Sequence, residues 1–404
     1  MLALRRQPDA SRSLLRRGSM LPALAISLLV VGSCLALVLD SLWLKMARRE
    51  LQTAADAAVL AAAGELASDE LLKVDPDREL LALRARKVAA NVAALNRAAG
   101  KQVFVDPLIG EDVRLGRITQ HENGTAVFLE TDQNPTAVVL LAHCGRAQGN
   151  PVSLFFPHLT GEPTGDVTCR AEASINNQVY GVRPLDNAPV PALPLAILES
   201  HSDPRRLETW ALQIEARRGQ DRYRFNAETG EVERGQDGIP EIVLHSTPPG
   251  SEEEEEQRGN VQIVDLGTNL QLQQVQRQIT HGWSWRDLQD LGTELRLDQG
   301  PVQLRSCERI ENTLNHSLQE MIGKSRIVLL YSATGPGGPN GVTSAEISRL
   351  VAGRIMDVKS GQQTLEMVLQ PTVINTRLAL VNEDPFASST QFQNQYIRRL
   401  SLTN

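Results

Sequence analysis

Aromatic residues are scarce in this chain, 4% of 404, and a surface that stacks nucleic-acid bases needs them. Positive charge is short too. The 41 Lys and Arg against 48 Asp and Glu leave a net charge of -7, the wrong field for a phosphate backbone. No nucleic-acid partner is expected. Four cysteines over this length exclude a small scaffold built on disulfides. The seven histidines are scattered, with no H-x-x-x-H pair, so the helical zinc-hydrolase arrangement is missing. His143 and Cys144 are adjacent, but neighbours on a strand point to opposite faces, which does not make a nucleophilic pair. The run Gly335-Pro336-Gly337-Gly338-Pro339-Asn340-Gly341 lacks the Lys-Ser/Thr of a phosphate loop, and its prolines remove amide donors. These gaps argue against an enzyme; no catalytic residue, cofactor, metal or small-molecule substrate is expected. The remaining bulk, 41% hydrophobic and 22% charged, is ordinary for globular domains, and the length suits two or three of them.

One long apolar run stands out. Met20 to Leu39 contains no charged residue, and about 20 residues at 1.5 Å each match a hydrocarbon core of roughly 30 Å. Asp40 ends the run, and Trp43 stands where a headgroup-level aromatic belongs. Met20, Leu39, Asp40 and Trp43 therefore mark a membrane anchor. Arg5, Arg6, Arg12, Arg16 and Arg17 precede it, so the positive-inside bias puts the N-terminus in the cytoplasm and the bulk outside, on a single-pass protein of the inner membrane. A cleaved signal has a shorter apolar stretch. Val31-Gly32-Ser33-Cys34 is a loose lipobox, but Leu35 to Leu39 stay apolar where a lipoprotein turns polar; an uncleaved anchor is the reading, with a lipid on Cys34 as its rival.

Residues 45–66 are rich in Ala and free of Pro, so the helix is expected to run on beyond the membrane. Leu44, Leu51, Ala55, Ala58, Ala62 and Leu66 fall near one stripe. Small residues there let another helix approach closely. Ala54, Ala55, Ala58 and Ala62 are the helix-docking candidates, against either the protein's own domain or a partner.

Gly18-Ser19-Met20, the apolar run ending at Asp40, Arg48-Arg49-Glu50-Leu51-Gln52 and Ala54-Ala55-Asp56-Ala57-Ala58 resemble the N-terminal segment of TadG-like proteins of Tad (tight adherence) Flp pilus assembly systems. Weaker likenesses to planctomycete-type TadG-related proteins follow, such as Gly292–Pro301 and Gly353–Val358. The resemblance implies a membrane protein that assembles or anchors a pilus, with the membrane and other pilus assembly proteins as partners; an adhesin or a tethered extracytoplasmic enzyme are the alternatives. Many TadG proteins carry a von Willebrand A domain with an Asp-x-Ser-x-Ser loop. Here that pattern occurs only at Asp9-Ala10-Ser11-Arg12-Ser13, in the Arg-rich tail without a preceding strand. Prepilin-like proteins of such systems carry a Glu five residues after the processing Gly. Counting from Gly18 that place is Ala23, so neither prepilin cleavage nor a pilin role is expected.

The predicted fold class is α+β: a transmembrane helix extended by an Ala-rich helix, then mixed α/β extracytoplasmic domains with antiparallel sheets. The expected divisions are a basic tail (1–18), the membrane helix (19–44), a helical stalk or hairpin (45–100), an α+β domain (101–185), a Pro-rich connection with strands (186–250), an acidic linker (251–259) and a C-terminal α+β domain (260–404). Asp75 and Pro76 predict a helix start. Ser306 with Glu308 predicts another, and Asn269 a third. Thr209–Glu215 reads as a strand, and Ala345–Val358 fits either element. Cys144 and Cys169 lie on predicted neighbouring strands, where an oxidising compartment allows a disulfide; Cys307 is expected to be a buried thiol.

Overall fold

The computed structural model describes residues 20–108, 112–120, 126–248, 258–310, 312–335, 342–359, 364–382 and 392–403. The basic tail, the acidic run and most of the Gly-Pro stretch lie outside the described residues. A single helix, α1, spans Leu21–Leu66; 46 residues at 1.5 Å give about 69 Å. Its first half is exposed and apolar: Leu21, Leu24, Ile26, Leu28, Leu29, Val31 and Leu35 all face outward. From Ala47 on, the helix is buried at Leu51, Ala54, Ala55, Ala58, Val59, Ala62, Ala63 and Leu66. That spacing, three and four residues apart, covers a broad face of the helix.

A second helix, α2 (Arg78–Leu95), packs against this half. It starts two residues later than the sequence suggested, because the carboxylate that takes the first free amide is Asp77, from Leu80 at 2.9 Å. Its buried face is also small: Leu81, Ala82, Ala85, Ala89 and Ala93. It ends at Leu95, ahead of Gly100, and a hairpin over 97–102 returns to α1. The hairpin turns through Ala99 (φ 49°) and Gly100 (φ 76°), the two left-handed positions that a tight turn of this hand requires. Glu50 of α1 accepts the Ala99 amide at 2.7 Å, holding the less tolerant of the two in place.

The other side of α1 lies on a six-stranded sheet. Its order is Ile374–Asn375, Ile397–Leu402, Val167–Asn176, Ala137–Cys144, Val113–Gln120 and Ala126–Glu130. All pairs are antiparallel except the first. Val167–Asn176 alternates buried and less buried positions along its length, as a strand with one covered face should. The strand next to it comes from the far end of the chain. The C-terminal region therefore completes the sheet begun by residues 113–176.

A second, seven-stranded sheet runs Ile242–His245, Glu366–Pro371, Val342–Lys359, Val302–Cys307, Val261–Val264, Ala192–Leu198 and Ser325–Thr334. The last of these pairs back onto Val342–Lys359. Five strands thus close into a ring, and that 18-residue strand has partners on both edges. The core packed around this sheet includes the fully buried Trp210 and Trp283.

Several local expectations give way here. Residues 192–198, inside the Pro-rich connection, form a wholly buried strand; Pro194 sits where its register against Ser325–Thr334 shifts, the kind of irregularity that a residue without an amide donor needs. Ser306 is a buried strand residue bonded to Thr343 at 2.8 Å, and the helix follows only at Asn315–Gln319. Ala211–Glu215 is a helical turn rather than a strand. The helix near Asn269 begins at Leu272, since Asn269 and Leu270 both have positive φ.

The alanine face leaves no room for growth. Leucine at Ala58 or Ala62, each fully buried, is expected to overpack the α1–α2–sheet interface and cost about 1–3 kcal/mol per site. Urea unfolding of the detergent-solubilised chain checks this; unchanged midpoints would mean the face is not packed.

Candidate functional site

The passage from the exposed half of α1 to its buried half is the place where the chain builds a polar site. Asp40 is 4% exposed although it ends an apolar run. Its carboxylate accepts the amide of Phe155 at 2.8 Å and that of Phe156 at 3.3 Å. Burial of a charge is costly without such donors; here two backbone N–H groups supply them. One turn on, the Trp43 indole donates to the carbonyl of Ser153 at 3.1 Å, and its ring lies 5.3 Å from that of Phe155. Leu44 fills the space above Gly165, where any Cβ would come within 2.7 Å of it. Further along, Gln52 bridges Asp56 (2.8 Å) and the Arg170 carbonyl (3.1 Å).

Of the residues singled out as the anchor, Asp40 and Trp43 thus grip the folded region through the 153–156 segment, while Met20 and Leu39 lie on the exposed apolar surface. Ala54, Ala55, Ala58 and Ala62 are at most 1% exposed. In this structure they lie within the core that α1 forms with α2 and the six-stranded sheet. The sequence pointed to the stripe but carried no sign of what covers it.

The cysteine expectation is corrected by register. Cys144 and Cys169 do lie on adjacent strands, but Cys144 faces Val167 and Cys169 faces Ala142. The thiols are diagonal neighbours, and diagonal positions stand about 7–8 Å apart, beyond the usual disulfide span. Both are free. Burial pushes both thiols up, Cys169 to about 11, which keeps them protonated and inert. Cys307 is only partly buried, and its thiol donates to the Arg309 carbonyl.

A carboxylate group that no sequence signal marked lies at the base of the hairpin Tyr223–Asn226/Glu231–Arg234. Glu241, 2% exposed, accepts the amides of Arg222 (3.1 Å) and Tyr223 (2.6 Å). Asp237 accepts from Gln370 at 3.1 Å, and Asp221 accepts the amides of Asp237 and Gly238. Burial is the main reason that Asp237 and Glu241 hold their protons more tightly, Glu241 up to about 7, and the neighbouring carboxylates add to it. Backbone amides supply most of these bonds and the Gln370 side chain joins the group to the strand Glu366–Pro371, so the cluster is a structural tie between hairpin and barrel. Among the described residues no group of three His, Cys, Asp or Glu side chains is placed to hold a metal.

Two outcomes follow from these geometries. Asp40→Ala leaves two amides without their acceptor at a cost of about 1–3 kcal/mol; hydrogen exchange at residues 155 and 156 should accelerate, whereas unchanged protection would remove Asp40 from its role. Glu241 keeps in the fold a proton that the unfolded chain releases at about 4.5. Its contribution is therefore present at low pH and is lost as pH rises from about 4.5 to about 7. Glu241→Gln should flatten that decline by on the order of 1–2 kcal/mol, read from denaturation midpoints at pH 5 and pH 8.

Comparison with known proteins bears on the first helix alone. No curated protein and no solved structure matches the chain. One family model, described as "Putative Flp pilus-assembly TadE/G-like", matches residues 18–65. The matched stretch takes in the exposed apolar half of α1, the Asp40–Trp43 site and the alanine face, but none of the strands. Residues 18–65 are thus similar to the TadE/G-like Flp pilus-assembly family, a likeness consistent with a TadG-like protein.

Proposed function

We propose that this protein works in the assembly or anchoring of a Tad/Flp-type pilus, as a single-pass protein of the cytoplasmic membrane acting through protein–protein contacts. The observation that carries this reading is the coincidence of two features in α1. The TadE/G-like match covers 18–65, and the same helix is the one element long and apolar enough to span a membrane among the described residues. The pilus-family segment is therefore also the anchor. Five arginines before the span and none within it support a cytoplasmic N-terminus with the sheets outside. The alanine face is taken up internally, so contacts with pilus components fall to the outer surfaces of the two sheets. The chemistry is that of a binding and scaffolding protein.

Deleting the gene tests this directly. Cells lacking the protein should lose surface Flp pili, and the full chain supplied in trans should restore them. In the complemented cells, protease added to spheroplasts should degrade residues 45–404 and spare the N-terminal tail. Normal piliation in the deletion strain would overturn the assembly reading; normal piliation with lost surface attachment would make the protein an adhesin instead. Protection of the sheets from protease would reverse the topology.

A further inference from the structure

The segment that Asp40 and Trp43 hold carries three large apolar side chains that the fold leaves outside. Phe155 is 62% exposed, Leu159 52% and Phe156 37%. All three fall within five consecutive positions, 155–159, and Leu159 lies on a single helical turn, Pro157–Thr160. Scattered exposed leucines are ordinary on a protein surface; a group this dense, held at one place on a membrane helix, is not.

Its position is set by the contacts already described. The amides of Phe155 and Phe156 bond to Asp40, the Ser153 carbonyl receives the Trp43 indole, and the Phe155 ring lies against that indole. On α1 at the same level, Leu37, Val38, Leu39 and Leu42 are 42–55% exposed. The loop thus continues the apolar surface of the helix sideways. Counting from Leu21, 19 residues at 1.5 Å bring the bilayer boundary, about 28 Å on, to Leu39 and Asp40. Lys45 and Arg48 come one to two turns later and line a groove with Asp40 and Asp166. An apolar tip beside an indole, with basic side chains just beyond, is the layered pattern of a headgroup interface.

We propose that residues 153–160 form a second membrane contact: Phe155, Phe156 and Leu159 insert into the near leaflet of the same bilayer that α1 spans. This rests on the reading of α1 as the anchor. The occupant is lipid, because the patch is continuous with the spanning surface and stands at its boundary. Two points of contact fix the tilt and rotation of the folded region relative to the membrane, which a lone helix leaves free. A partner's membrane helix would also cover such a patch, and the test separates the two.

The full chain is reconstituted in phosphatidylcholine/phosphatidylglycerol vesicles with a photoreactive benzoylphenylalanine at one site per variant. Leu159 reports the loop, with Phe155 as a second loop site should the first variant misfold. Leu29, exposed on the apolar half of α1, reports the anchor, and Glu228, exposed on the hairpin, is the aqueous control. Mass spectrometry after illumination should find lipid adducts at Leu29 and at the loop site, the latter about tenfold above Glu228. Lipid at Leu29 with none in the loop, or a loop cross-link to a second copy of the chain, overturns this inference and leaves the anchor standing. No lipid at either site overturns the anchor reading and this inference together.

Discussion

Close packing of the alanine half of α1, between α2 on one side and the six-stranded sheet on the other, is the contact on which everything else in this protein depends. The helix is unbroken from Leu21 to Leu66, so whatever fixes its second half also fixes the direction of its first. Alanine suits this place for two reasons. It is the best helix former, so the helix persists across the change of surroundings. It also lets backbone approach backbone closely, so that many small contacts replace a few large ones. A row of leucines would hold the same elements further apart and break the match to the sheet.

Polar contacts then lock each end of the buried half. At the membrane side, Asp40 and Trp43 hold the 153–156 segment. At the far side, Asp69 accepts the Val373 amide at 2.6 Å and the Thr372 hydroxyl at 2.8 Å, and pairs with Arg354 at 3.0 Å. Asn375 donates to the Ala67 carbonyl at 3.1 Å. One helix with its short continuation thus touches both sheets. Asp40 is satisfied by two backbone amides, Asp69 by one amide, a hydroxyl and a guanidinium, directional contacts that set position as well as energy.

This economy narrows where binding can occur. The alanine face of α1 and the face of α2 that packs on it are committed to the interior. What remains outward is the apolar half of α1, the loop beside it, the outer face of α2 and the outer sheet surfaces. The scarcity of aromatics also matters here. Trp210 and Trp283 are spent on the core, whereas Trp43, Phe155 and Phe156 gather at the membrane end.

What the sequence determined by itself was local or repetitive. Twenty apolar residues ending in Asp40 define a span because the length of a helix in hydrocarbon depends only on rise per residue. The alanine pattern defines a continuing helix because helical neighbours are three and four residues apart. Alternation along 167–176 likewise marks a strand with one covered face. The tertiary structure alone decided what depends on distant partners. The stripe of small residues is visible in the sequence, but its cover is α2 and the sheet. Asp40 is legible as the end of a span, yet its bonds come from residues 115 and 116 positions away. Cys144 and Cys169 sit on neighbouring strands as expected, and a register offset of two residues separates them, which no spacing reveals. Ser306 has the side chain of a helix cap, but it is a strand residue because Thr343 and the strands on either side make the better bonds there. Propensity is a local preference of a few tenths of a kcal/mol to about one, and pairing within a closed ring of strands outweighs it.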